Sequence, residues 1–69
     1  MIIKIKNFVK QCRKKEGLTQ EALAQAVGIG RSTVSEIESG RRVPGVDVAI
    51  RIARVLSCTV EELFDVPDS

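Results

Sequence analysis

The feature that most restricts what this chain can fold into is the stretch from Thr19 to Gly40, TQEALAQAVGIGRSTVSEIESG. Leu23 and Val27 lie four residues apart in its first half, and Val34 and Ile37 lie three apart in its second. Both spacings bring the apolar side chains onto one face of a helix, so each half acquires an inward stripe. Ala24 sits beside the first stripe and is small enough to let a second helix cross close to the first. Gly28 falls where the first helix must stop. Turning the chain steeply at that point needs a left-handed residue, which glycine adopts without penalty. Ile29 then fills the gap between the two helices, giving a pair joined by a tight, glycine-marked turn.

A core must be built around that pair from only 69 residues, 43% of them hydrophobic and only Phe8 and Phe64 aromatic. One domain fits, filled by Leu, Ile, Val and Ala, and a domain this small often leans on a partner subunit. With 29% charged residues and ordinary hydropathy the chain reads as folded. Residues 1–60 hold all eleven Lys and Arg against five acids (11 − 5 = +6), and Glu61, Glu62, Asp65 and Asp68 bring the total to +2. A basic body with an acidic end suits an anionic partner for the body. Charge alone does not separate that reading from a mixed, solvated surface.

There is no His, and Cys12 and Cys58 do not form a metal-ligand pattern, so neither a metal nor a cofactor is expected. Cys12, four residues after Phe8 on an apolar face, reads as a small buried hydrophobe. No run is apolar enough to span a membrane, and MIIKIK is too short and too charged for a signal peptide. The expectation is a cytoplasmic chain with free thiols. Catalysis finds no support, since the sequence offers no nucleophile–base pair and no phosphate-binding glycine loop.

Taken in order, MIIKIK alternates Ile3 and Ile5 with Lys4 and Lys6, a strand-like pattern, and LFDVPD offers a second short strand. The two termini are expected to pair as a ribbon, or the first strand to pair across a dimer. An arm without a partner is the plain alternative. Asn7 suits the N-cap of a first helix from Phe8 to Lys15, closed by Gly17. Phe8 and Cys12 would face inward, with Leu18 continuing the core and Lys10, Lys14 and Lys15 in water. Thr19 caps a helix from Gln20 to Val27, and the next runs from Arg31 to Glu38, ending at Gly40. After the loop 39–45, a helix from Val46 to Leu56 buries Ala49, Ile52, Ala53 and Leu56 at helical spacing. Val46 and Ile50 would widen that face, leaving Val48 and Val55 as spare apolar surface. Thr59-Val60-Glu61-Glu62 reads as a capping box before a last helix from Val60 to Phe64. The organisation expected is an arm at 1–6, a single domain at 7–66 with its motif at 19–40, and a tail at 67–69.

Gln20, Ala24, Gly28, Val34 and Ile37 stand at the spacing of a known group. With the runs GLTQEALA, RSTVSEIESGRR and VEELF, the chain from about Phe8 to Phe64 resembles the lambda-repressor-like helix-turn-helix family. That family includes Cro, phage repressors and xenobiotic-response-element regulators. The resemblance implies an all-α, compact five-helix domain that places the second motif helix in the DNA major groove. It also implies an ion pair between Arg13 and Glu38, tying the first helix to the end of the recognition helix. A lone cation beside the buried stripe would otherwise be costly. Gly30 stands where the family usually has a Ser or Thr cap, a loss of only a few tenths of a kcal/mol.

DNA binding requires phosphate contacts for affinity and short polar side chains at base edges for sequence choice. The exposed start of the recognition helix supplies Arg31, Ser32 and Ser35, with Glu36 a turn on. Arg31, Ser32 and Glu36 match the family's base-contacting positions. Phosphate contacts are expected from Thr19 and Gln20, which open a helix whose free amides attract anions, and from Ser39, Arg41 and Arg42 beyond the recognition helix. Glu36 departs from the basic or amide residue common there. A carboxylate repels phosphates, so it either accepts from cytosine N4 or faces away from DNA.

These expectations describe a nucleoid-associated transcriptional repressor that binds double-stranded DNA, with a palindromic operator read by a homodimer. Its recognition helices would lie about 34 Å apart. Val48, Val55, the last helix or the first strand are the candidate contacts. The alternatives are an antitoxin or restriction controller, the DNA-binding head of a longer sensor-regulated protein, and a protein-interaction module without DNA.

Overall fold

The computed structural model describes residues 6–65. Among them the chain forms α1 (Val9–Lys15), α2 (Gln20–Val27), α3 (Arg31–Glu38), α4 (Val46–Leu56) and α5 (Val60–Leu63). The strands β1 (Lys6–Asn7) and β2 (Phe64–Asp65) pair antiparallel, with Lys6 opposite Asp65 and Asn7 opposite Phe64. The architecture is the all-α, five-helix one, closed by a two-residue ribbon. The alternation of Ile3 and Ile5 lies outside the described residues.

Local chemistry sets the helix boundaries. Thr19 Oγ1 accepts from the Ala22 N–H at 3.0 Å, satisfying an orphan donor in the first turn of α2. Gly28 ends that helix at φ +85°, the left-handed turn its position demands. Before α5, the Glu62 N–H donates to Thr59 Oγ1 at 3.0 Å while the Thr59 N–H donates to Glu62 Oε1 at 2.9 Å. This reciprocal cap holds the Glu62 carboxyl below its usual range. A depressed carboxyl contributes stability that is present above the ordinary Glu pKa and lost as pH falls through the lowered one, so α5 loosens in acid.

The core joins Val9, Leu23, Ala24, Val27, Val34, Ile37, Ile52, Ala53, Leu56 and Leu63. Cys12, Leu18 and Ile29 pack against it half-buried. Both thiols are free. The Cys58 thiol is pushed up, first by a hydrogen bond with Cys12 and then by burial.

Four expectations are corrected. Asn7 is not the N-cap of α1; Phe8 holds that place without a side-chain cap. Asn7 is taken up by the ribbon, where its amide donates to the Ile37 carbonyl at 3.0 Å and its Oδ1 accepts from the Val9 N–H at 3.4 Å. The helix therefore starts one residue later, and its buried pair is Val9 and Arg13, with Phe8 39% exposed. On α4, Val46 and Ile50 are exposed, whereas Val48 and Val55 pack against the core. The helical wheel puts both pairs on the flanks of the buried arc, and the neighbouring helices decide which flank is covered. The last helix ends at Leu63, because Phe64 turns extended to pair with Asn7.

Candidate nucleic-acid interface

Val34 and Ile37, each 1% exposed, hold the back of α3 against the core and so fix which face it presents. That face carries Arg31, Ser32 and Ser35 in the open and Glu36 half-buried, and the four line one shallow hollow. Gly30 begins the helix in extended backbone at φ −75°, ψ 152°, a conformation open to any residue, and donates no side-chain cap. A Cβ built there would meet Ser32 Oγ and Thr33 Oγ1 at 3.8 Å, ordinary contact. Gly30→Ser should therefore supply the missing cap and add a few tenths of a kcal/mol, raising the melting temperature by roughly 1–3 °C. Thermal unfolding followed by circular dichroism checks it.

Beneath α3, one carboxylate gathers three elements. Arg13 Nε donates to Glu38 Oε2 at 2.6 Å and Arg13 Nη2 to Glu38 Oε1 at 3.2 Å. Gln20 Nε2 donates to the same Oε1 at 3.1 Å, and Arg13 Nη1 to the Leu18 carbonyl at 2.7 Å. The Arg13 and Glu38 side chains keep only 9% and 4% of their exposure. A bidentate, nearly dry pair of this kind fixes geometry strongly. It sets the end of α3 relative to α1 and to the first turn of α2. Gln20, expected at a phosphate, gives one amide N–H to this cluster; its backbone N–H at the start of α2 lies outside the helix ladder.

Past α3 the Glu36 carbonyl organises the turn. It accepts from Ser39 Oγ at 3.0 Å and from the Arg41 and Arg42 N–H groups at 2.9 and 3.2 Å. The Glu36 carboxylate in turn accepts from Arg42 Nε at 3.1 Å. Arg41 is exposed and makes no ion pair among the described residues. Thr19 is exposed at the other edge, its oxygen accepting the cap bond while its hydroxyl proton remains available to donate. The structure thus brings Arg31, Ser32, Ser35 and Glu36 together and seats Ser39, Arg41 and Arg42 at one rim. Sequence reasoning missed that Gln20 joins the Arg13–Glu38 cluster. It also missed an apolar hollow beside the rim, lined by Val43, Pro44, Val46, Ile50, Val60 and Phe64 among others. The signal for that hollow was Val43-Pro44 within an otherwise polar loop.

Two short helices crossing at Gly28, the second with its apolar edge buried and its polar face open, define a helix-turn-helix domain of the lambda-repressor-like type. The helix-turn-helix family matches residues 9–63, and the chain belongs to that family. An uncharacterized HTH-type transcriptional regulator of Archaeoglobus fulgidus is 41% identical over 56 residues, spanning 81% of this chain and 80% of its own. The restriction-modification controller protein C.AhdI from Aeromonas hydrophila superposes with a TM-score of 0.75 at 34% identity, over 81% of this chain and 85% of that one. SinR of Bacillus subtilis, the master regulator for biofilm formation, solved in complex with DNA, gives 0.72 at 30% identity, over 77% and 86%. Within this family the chain is a DNA-binding transcriptional regulator. Among the described residues no helix is long and apolar enough to cross a membrane.

Proposed function

We propose that this regulator recognises a specific duplex sequence as a homodimer, with α3 of each subunit in the major groove. The observation that carries the reading is the exposed set Arg31, Ser32 and Ser35 on a helix whose other side is locked into the core. Arg31 is placed at the start of α3, where a guanidinium can take guanine O6 and N7 together. Ser32 and Ser35 offer hydroxyls that both donate and accept, suited to base edges or to a phosphate. Thr19 and the first backbone N–H groups of α2 take a phosphate on one side of the groove. Ser39, Arg41 and Arg42 take the backbone on the other.

One such domain covers too few base pairs for selective binding, so two are needed, related by the two-fold axis of a palindromic operator. The contact surface is the apolar hollow around Val46 and Ile50. It leaves Val43 65% and Val46 77% exposed, and Val43 directly follows Arg41 and Arg42 in the chain. Val43, Val46 and Ile50 are exposed large apolar side chains grouped in this one hollow, which a second copy of the domain would cover.

Selection of bound sites from random duplex DNA, followed by titrations at several salt concentrations, tests this reading. A palindromic consensus is expected, with affinity falling steeply with salt as phosphate contacts release counterions. Arg31→Ala should then lose about 1–3 kcal/mol of discrimination at one base pair per half-site. No binding at low salt would overturn the proposal.

A further inference from the structure

The hollow on α3 carries a carboxylate on the face proposed to meet DNA, next to the rim proposed to meet the phosphates, and one arginine holds it. Glu36 Oε1 receives Arg42 Nε at 3.1 Å, with 42% and 55% of the two side chains exposed. The connection is reinforced through the backbone, since the Arg41 and Arg42 N–H groups both donate to the Glu36 carbonyl. The carboxylate and carbonyl of one residue therefore fix the position of the loop that carries both arginines. Arg42 gives up only its Nε–H; its Nη groups make no hydrogen bond among the described residues. A guanidinium has N–H donors enough to serve a carboxylate with one edge and a phosphate with another.

We propose that Glu36 is a positioning residue for Arg42 and not a reader of bases. It orders the guanidinium before DNA arrives, and its own charge is neutralised by the group it orders. This rests on the DNA-binding reading above and concerns the same face. Ordering a long side chain in advance removes an entropy loss from binding, and it explains how an acidic residue is tolerated beside the phosphate path. The pair is solvent-exposed and correspondingly weak, so Arg42 can open it to adjust to a phosphate without forfeiting the complex.

The test is a double-variant cycle on a duplex selected by the wild-type protein, read by fluorescence anisotropy, with Glu36→Gln, Arg42→Ala and their combination. Glu36→Gln should weaken binding of the otherwise wild-type protein by about two- to tenfold, the value of ordering one flexible side chain. In the Arg42→Ala background the same change should strengthen binding, by about two- to fivefold, because the carboxylate left there is an uncompensated like charge beside phosphates. The consensus selected by Glu36→Gln should keep the same base at every position. In the free protein, the Arg42 Nε–H resonance should move on Glu36→Gln. A changed base preference would overturn the proposal in favour of cytosine reading, and equal effects in the two backgrounds would overturn the coupling. If the wild-type protein selects no site, the DNA reading itself fails, while the Arg42 resonance still reports on the pair.

Discussion

Arg13→Ala should lower the melting temperature by at least about 10 °C and leave a population too unstable to hold α3 in place. The change strands the Glu38 carboxylate, whose side chain is 4% exposed, with Gln20 as its one remaining hydrogen-bond partner among the described residues. It also strips the Leu18 carbonyl of its Arg13 donor. Removing one member of a buried pair costs about 3–5 kcal/mol because the other charge stays behind without compensation. In a domain this size each kcal/mol shifts the midpoint by roughly 4–8 °C. Replacing both charges, as Arg13→Met with Glu38→Leu, should recover a substantial part of the loss, since desolvation is then removed along with attraction. Recovery is incomplete because Leu18 still lacks its donor. Calorimetry on the three proteins decides the matter. A single variant melting within about 2 °C of wild type would show that the pair orients nothing.

The Arg13–Glu38 pair also shows what could be read in the chain and what could not. A cation at the fifth residue of a helix, next to its buried face, demands a partner, but its spacing does not say which acid answers; the family resemblance supplied Glu38. Gln20 joined the same carboxylate unnoticed because a glutamine at the start of a helix looks equally suited to phosphate. Helix starts marked by Thr19 and Thr59, and the stop at Gly28, were legible because the bonds that make them lie within four residues. The start of α1 was not, since Asn7 is claimed by a strand from the far end of the chain. On α4 the buried centre followed from periodicity, but its flanks did not. Whether Val46 or Val48 meets the core depends on where α2 and α5 sit, which helical spacing does not encode. The same limit applies to Glu36: sequence gives a carboxylate on the reading face, and only the fold brings Arg42, six residues on, back to meet it.

Val46→Glu should leave the fold intact and abolish tight binding to a palindromic site. Val46 is 77% exposed, so no core contact is lost. It opens α4 next to Asp47, where a negative charge is favoured by the free amides of the first turn. The effect on stability should stay within about 0.5 kcal/mol. Assembly is another matter. A two-fold contact uses the same patch twice, so one substitution brings two carboxylates into the apolar surface around Val43 and Ile50. If desolvation and repulsion together cost about 3 kcal/mol, dimer affinity falls more than about a hundredfold. Sedimentation should then report a monomer at concentrations where the proposed wild-type dimer forms. Affinity for the palindrome should drop to that for a half-site, while half-site affinity itself is retained because Arg31, Ser32 and Ser35 are untouched. Val48→Glu provides the contrast. That side chain packs against the core from the other flank of α4, so the same charge there should reduce stability first and assembly only as a consequence. Wild-type palindrome binding by a folded Val46→Glu protein would place the dimer contact elsewhere on the domain.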